Sequence, residues 1–239
     1  MVTQYNSPIN NKLFVLLLPN MILLPRNTAL PSFTTKRCRN HFYPGGGTLA
    51  ITMRLAGSIT RPAIRKIQAL EEKYGNNIPA DVYWSVGAAE RDAFRQYAQG
   101  KTDRRSLNGP FYLHHNEEIR QFIFESILEE ERRGGWKVAA FSLMPNHLHL
   151  VVKHMHTTRH MGKVIRLWKS YTGLQCNRIL GIKGQAFWQA ENYDTVVKTG
   201  ADLRRHVIYT LRNPIAGGLA KKWQDWAGNY CGVKGLVIS

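Results

Sequence analysis

Cysteine is scarce in this chain of 239 residues, and the three cysteines stand far apart, at Cys38, Cys176 and Cys231. None of them forms a CxxC pair, and an odd number cannot be paired completely. These features exclude a zinc ribbon and a disulfide framework. We therefore expect a protein of a reducing compartment, the cytoplasm.

Long hydrophobic runs are also absent. The apolar stretch of residues 13–24 is interrupted by Pro19 and Asn20, and it is shorter than the roughly 20 residues that span a bilayer. A secretory signal is the less favoured alternative, because Lys12 is its only positive charge and no clear cleavage site follows. Residues 1–40 contain four prolines and no sustained period. We interpret them as an N-terminal extension outside the domain.

Acidic residues are few: sixteen Asp and Glu stand against thirty-three Lys and Arg, for a net charge of +17. Such a charge favours a polyanionic partner, either nucleic acid or an acidic membrane surface. The excess lies in the C-terminal half, where residues 159–222 hold twelve basic and three acidic side chains. A basic surface kept only for solubility is the alternative, and the asymmetry argues against it.

Strand-like and helix-like segments alternate along the rest of the chain. The periodicity predicts strands over 48–55, 136–143, 147–153 and 193–197, and helices over 62–74, 88–99, 116–133, 159–180 and 201–212. Neighbouring strands are separated by short turns, which is typical of hairpins. We predict an α+β sandwich, an antiparallel sheet with helices mainly on one face.

Two histidines begin one of the predicted strands. His147 and His149 are two residues apart, so their side chains project from the same face, while Leu148 enters the core on the other. Two neutral imidazoles on one face can share a divalent cation and leave positions for a phosphate oxygen and water. An isolated HxH also occurs by chance. The nearby His154, His156 and His160 leave a zinc-binding histidine cluster as a further alternative.

A tyrosine lies in the last predicted helix. Its buried stripe is Leu203, Val207 and Leu211, and Tyr209 falls on the opposite, polar side with Asn213 one turn further on. Arg205 and Arg212 flank it, and arginines hold phosphates in fixed geometry. We expect Pro214 to end this helix. Such a tyrosine can attack a phosphodiester, although a surface tyrosine bound to solvent is the alternative.

Taken together, five motifs resemble the REP-associated tyrosine transposases, relatives of the single-tyrosine HUH transposases of small insertion sequences. The central one is Met-Pro-Asn-His-Leu-His-Leu-Val-Val, residues 144–152. The others, in chain order, are residues 109–113, 167–171, 187–194 and 209–219. The resemblance covers residues 40–228, so we predict a transposase domain over 41–228 and a C-terminal tail over 229–239.

The resemblance implies a ferredoxin-like fold and a role for each motif. His147 and His149 correspond to the metal-binding pair, and Tyr209 corresponds to the nucleophile. Asn213 stands where the insertion-sequence relatives carry a metal-binding Gln, with one methylene less reach. The implied activity is nicking and strand transfer, dependent on Mg²⁺ or Mn²⁺, next to an imperfect hairpin in single-stranded DNA, through a 5′-phosphotyrosine. Gly217-Gly218 departs from the more common single glycine, which we expect to loosen the turn.

Residues for DNA binding follow from charge and aromaticity. We expect Lys163, Arg166 and Lys169 on one side of their helix to contact phosphates, together with Arg205 and Arg212. The candidates for base stacking are Trp168, Tyr171, Phe187 and Trp188. Tyr171 and Tyr193 are poorer candidates for the nucleophile than Tyr209. The protein would be a monomer or a homodimer without a membrane partner, and the main rival function is a non-catalytic, domesticated nucleic-acid-binding protein.

Overall fold

The computed structural model describes one long continuous part of the chain and several shorter ones. These are residues 33–36, 40–59, 61–74, 88–89, 91–93, 95–96, 99, 101, 113 and 116–236. Residues 1–32 lie outside this description, as does most of the helix predicted over 88–99.

A five-stranded antiparallel sheet forms the centre of the domain, in the order β6-β3-β5-β4-β7. Strands β1 and β2 form a separate two-stranded sheet, which is joined to β6 by a hydrogen bond between His41 and Asp194. The strands are β1 (Phe33–Lys36), β2 (Asn40–Tyr43), β3 (Thr48–Arg54), β4 (Trp136–Leu143), β5 (His147–His154), β6 (Tyr193–Val197) and β7 (Asn229–Cys231).

Helices cover both faces of this sheet. They are α1 (Arg61–Tyr74), α2 (Glu117–Arg132), α3 (Met161–Ile179) and α4 (Gly200–Ala216). Helices α2 and α3 bury their apolar stripes in the main core, on one face. Helix α4 packs Leu203, Val207 and Leu211 against Val151 and its neighbours on the other face. The predicted α+β class is confirmed, and two of the four helices, α2 and α3, share a face of the sheet.

Successive side chains of β5 point to opposite faces of the sheet and so enter two different cores. Leu148, Leu150 and Val152 join the main core under α2 and α3, whereas Val151 lies in the smaller core under α4. His147 and His149 have the same parity as Val151, so their side chains also face α4. This places the histidine pair on the face that α4, the helix of Tyr209, covers.

Helix α4 is longer than predicted, because Pro214 lies inside it and the helix continues to Ala216. The expectation that Pro214 ends the helix is wrong. In the last turn a proline forgoes one intrahelical hydrogen bond without preventing the final turn. The helix ends instead at the glycine pair. Gly217 donates its N–H to the carbonyl of Asn213, and Gly218 adopts a left-handed conformation with φ of 69°.

Strand residues lie beyond both ends of the predicted domain, 41–228. Strand β7 pairs with β4 at Ala140, Phe141 and Ser142, so residues 229–231 belong to the sheet, although we assigned 229–239 to a tail. Strand β7 escaped prediction because its three residues are too few to show the alternation that marks a strand. At the other end, Phe33–Lys36 pairs with β2 inside the segment we assigned to the extension. Within the described residues no helix is long and apolar enough to cross a membrane.

Candidate active site

His147 and His149 face each other at the start of β5. Their Nε2 atoms lie 2.9 Å apart, and the two rings are nearly perpendicular, with 4.6 Å between centroids. Both residues are buried, at 5% and 8% exposure. The two nitrogens that could bind a ligand therefore point at the same small region of space.

The other nitrogen of each ring has its own partner. Nδ1 of His147 lies 2.6 Å from the side-chain oxygen of Asn146, and Nδ1 of His149 lies 3.0 Å from Oγ1 of Thr52. Asn146 is in turn held by its Nδ2, which donates to the carbonyl of Ser58. When the Nδ1 positions carry the protons, both Nε2 lone pairs are available. Partners of this kind fix the tautomer of a metal-binding histidine.

Burial lowers the pKa of His147 well below its ordinary value, and the positive charges of Arg54 and Arg91 lower it further. At neutral pH the imidazole is therefore uncharged. This is the form that binds a cation, because a protonated ring has no free lone pair.

The residues present fit a divalent cation held by two protein nitrogens. Ligand nitrogens at about 2.1 Å from one ion would be separated by roughly 3 Å when they occupy adjacent positions. No third His, Cys, Asp or Glu joins the pair within the described residues. Ser142, which lies opposite His149 in the register, has a fully buried hydroxyl without a hydrogen-bond partner among the described groups. Directly opposite side chains share a face of the sheet, so this hydroxyl is one more polar group on the face of the histidine pair.

Tyr209 approaches this pair from helix α4. Its ring is 5.6 Å from the ring of His149 between centroids, at an interplanar angle of 81°. The phenol accepts a hydrogen bond of 3.2 Å from Nη1 of Arg91. The helical wheel predicts Tyr209 on an open polar face, but its side chain is half-buried. The reason is that α4 lies against the sheet, so part of its polar side is covered.

Asn213 follows Tyr209 by one turn, as predicted, but it is 2% exposed. Its Nδ2 donates to the backbone carbonyl of Tyr209 at 2.8 Å. Among the described residues its amide has no recorded contact with either histidine. Its role as a metal ligand therefore stays a prediction. Arg205 and Arg212 are exposed on the same helix, and Arg205 forms an ion pair with Asp202.

The predicted phosphate-binding residues of α3 lie in the layer on the other face of the sheet. Lys163, Arg166 and Lys169 line a groove of about 710 Å³ between α3 and residues 184–192. Lys163 and Arg166 are exposed. Lys169 instead donates to the carbonyls of Gln189 and Ala190, at 2.5 and 3.0 Å. Two of the three cations are therefore open to a phosphate, and the third holds the wall of the groove.

Most of the aromatic candidates for base stacking belong to the core, which corrects that prediction. Trp168 is 4% exposed and packs against Trp136 and Trp188, and Phe187 is also buried. They occupy the interior because the buried stripe of α3 continues along Trp168 and Thr172. Tyr171 lies beside that stripe and is 53% exposed, so it alone of the four stays available to a base.

The downstream histidines do not form a zinc cluster within the described part of the chain. His154 is buried, and its Nε2 lies 2.7 Å from the carbonyl of Arg159. His160 caps helix α3 by accepting from the backbone N–H of Lys163. These roles are structural.

Three groups at the site were missed from the sequence. Thr52 and Ser142 flank His149 on neighbouring strands, and the register that aligns them cannot be read before the strands are paired. Arg91 reaches Tyr209 from a helical turn more than one hundred residues earlier, and no local pattern marks it among the basic residues around it.

Part of this chain is similar in sequence to a known family of proteins. Residues 112–204 match the family model described as transposase IS200 like. No curated protein sequence gives a match. A solved structure titled "Structure of the REP associates tyrosine transposase bound to a REP hairpin" is 17% identical, over 82% of each chain, with a TM-score of 0.49.

The matched segment contains the histidine pair and helix α3, and it ends five residues before Tyr209. The chain is therefore similar to the IS200-like transposases over residues 112–204, which confirms the resemblance seen in its motifs.

Proposed function

We propose that this protein is a metal-dependent endonuclease and strand transferase that cleaves single-stranded DNA next to a hairpin of the REP type, through a 5′-phosphotyrosine. The observation that carries the proposal is the approach of Tyr209, on the helix that covers this face of the sheet, to His149. The chemistry would serve DNA transposition, as the similarity to IS200-like transposases suggests.

His147 and His149 would hold the cation, Mg²⁺ or Mn²⁺, through their Nε2 atoms. When bound, such an ion withdraws charge from the scissile phosphate. Thr52 and Asn146 keep the two rings in place, and the depressed pKa of His147 keeps that ring neutral. Asn213 would add an amide ligand through Oδ1, while its Nδ2 donates to the carbonyl of Tyr209.

Tyr209 would act as the nucleophile. Its phenolic oxygen forms a bond to phosphorus, and the bond from phosphorus to the 3′ oxygen breaks. The phenolic proton passes to water, and the departing 3′ oxygen takes a proton from water. The products are a 5′-phosphotyrosine and a free 3′-OH. Attack by another 3′-OH reverses the step and joins two strands without ATP.

The groove beside α3 is where we expect the DNA to be held. Lys163 and Arg166 present charge along it, and the exposed ring of Tyr171 offers a stacking surface on the same helix. The groove reaches the end of the sheet that carries the histidines, because Gln189 in its wall donates to the carbonyl of Arg54, and Arg54 pairs with His147. Arg205 and Arg212 would contact phosphates on the α4 side.

The test is covalent capture of DNA. The protein is incubated with Mn²⁺ and single-stranded DNA taken from the flanks of its gene, and adducts are resolved on a denaturing gel. We expect adducts with the wild-type protein and with Tyr171→Phe, and none with Tyr209→Phe or after EDTA. Adducts that persist in Tyr209→Phe and disappear in Tyr171→Phe would show that the nucleophile is misassigned.

The rival function is a non-catalytic nucleic-acid-binding protein. It predicts binding to the same hairpin strand, without adducts under any metal condition. The intact set of His147, His149 and Tyr209 favours catalysis. For the working form of the enzyme we propose a monomer or a homodimer in the cytoplasm, with no membrane partner.

A further inference from the structure

We propose that Arg91 orients and activates Tyr209, so that the phenol is held as a hydrogen-bond acceptor and its developing negative charge is stabilised during attack. The inference rests on the proposed function. It adds a residue that precedes the segment shared with IS200-like transposases.

The direction of the hydrogen bond follows from the chemistry of the two groups. A guanidinium only donates, and it stays charged at every pH at which a protein is folded. At 3.2 Å from Nη1 of Arg91, the Tyr209 oxygen must therefore accept. One lone pair of the oxygen is then occupied by the guanidinium, so the O–H bond does not point toward Arg91. A positive charge held at this oxygen favours the deprotonated phenol over the neutral one.

The charge of Arg91 also lies close to the aromatic ring. Its Cζ is 5.9 Å from the centroid of Tyr209, within the range of a cation–π contact. Two contacts from one planar group restrict the ring more than a single hydrogen bond does. Tyr209 is therefore held in one position relative to His149, whose ring centroid lies 5.6 Å from that of Tyr209.

During the reaction the interaction becomes stronger. The phenol loses its proton to water, and its oxygen carries negative charge until the bond to phosphorus is complete. A fixed cation at this oxygen stabilises the charged form more than the neutral one, which is the requirement for catalysis. Arg91 touches the reacting atom, so we assign it as a catalytic residue.

The experiment measures single-turnover adduct formation at saturating DNA, with the full chain, between about pH 6 and 10. We expect Arg91→Gln to lower the rate near neutrality roughly 10- to 100-fold, the loss typical of a charged hydrogen bond. We also expect the rate to level off at a higher pH than in the wild type. Arg91→Lys, which keeps the charge, should recover part of the lost rate and should shift the pH profile less. Arg204→Gln, an exposed arginine of α4, is the control for loss of one positive charge.

A change only in DNA affinity for Arg91→Gln, with the saturating rate and pH profile unchanged, would overturn the assignment and leave the proposed function intact. Absence of adducts in the wild type would contradict the proposed function instead. A second measurement then still tests Arg91. In protein labelled with 3-fluorotyrosine, the ¹⁹F signal of Tyr209, identified by its loss in Tyr209→Phe, should shift and broaden at neutral pH in folded Arg91→Gln, because the ring loses the group that holds it. An identical spectrum in the two proteins would refute the inference.

Discussion

Oγ1 of Thr52 lies 3.0 Å from Nδ1 of His149, on neighbouring strands at positions directly opposite in the register. The hydroxyl occupies the ring nitrogen that faces away from His147. It thereby leaves Nε2 of His149 directed at Nε2 of His147. A side chain on β3 thus sets the orientation of a candidate metal ligand on β5.

Replacing Thr52 with Val should weaken Mn²⁺ binding, because Val keeps the shape of Thr but offers no oxygen to Nδ1 of His149. Loss of such a supporting hydrogen bond typically lowers metal affinity about 10- to 100-fold. Titration calorimetry with Mn²⁺ measures the effect, and Thr52→Ser should bind nearly as the wild type does. Equal affinity in Thr52→Val and the wild type would contradict the orienting role.

Asn213→Ala should affect stability more than metal binding. The side chain is buried and donates to the Tyr209 carbonyl, so we expect a loss of about 1–3 kcal/mol in the free energy of unfolding. Urea denaturation measures it. The Mn²⁺ affinity should fall much less than in His149→Ala. If Asn213→Ala and His149→Ala lose the metal equally, Asn213 is a ligand in the working enzyme.

Trp168→Ala should destabilise the fold by about 3–5 kcal/mol, the typical cost of truncating a buried tryptophan. The ring packs between Trp136 and Trp188, and a thermal melt reports its loss. Trp168→Phe should cost much less. Tyr171→Ala, at an exposed position of the same helix, should leave the melting temperature almost unchanged and weaken DNA binding. A stable Trp168→Ala with reduced DNA affinity would return Trp168 to the stacking residues.

Neutralising Lys163 and Arg166 together should reduce the salt dependence of DNA binding. Each phosphate contact to single-stranded DNA contributes about −0.7 to the slope of log K against log salt, so the slope should fall by roughly 1.4 in magnitude. Fluorescence anisotropy with a hairpin-bearing strand measures it. The matched control is Lys73→Gln with Lys66→Gln on α1, away from the groove. An unchanged slope in the Lys163 and Arg166 variant would remove the groove from the DNA path.

Cys176 should resist alkylation in the native protein. Burial raises the pKa of its thiol to about 12, and the thiolate is the reactive form. At pH 8 the thiol is therefore almost entirely protonated as well as covered. Iodoacetamide labelling followed by mass spectrometry should modify Cys176 only after denaturant is added. Rapid labelling in buffer would mean that α3 opens locally.

Most of the fold could be predicted because the main elements have strong periods. The strands over 136–143 and 193–197 have the predicted bounds. Helix α2 begins directly after its N-cap, Asn116, which was the first residue of the predicted helix. Strand β7 was missed because three residues carry no period. Pro214 was expected to end the helix, but so near the C-terminus its missing N–H removes one hydrogen bond and only two residues of the helix follow it.

The candidate site was predictable where its residues are neighbours in sequence. The spacing of His147 and His149 fixes their shared face, and the turn between Tyr209 and Asn213 fixes theirs. The exposure of a side chain was less predictable. A polar helix face can lie against a sheet, and a tryptophan can either pack in the core or contact a bound ligand. Thr52, Ser142 and Arg91 depend on pairing between distant segments.

The position of the sheet between two helical layers has an evolutionary consequence. The histidines lie under α4, which carries Tyr209, whereas the basic groove lies beside α3 on the opposite face. Substitutions in well-separated groups that share no partners act independently. Under the proposed function, a descendant that lost His147, His149 or Tyr209 would lose strand cleavage and keep the groove for DNA. Such a descendant would be the non-catalytic nucleic-acid-binding protein named above as the rival function.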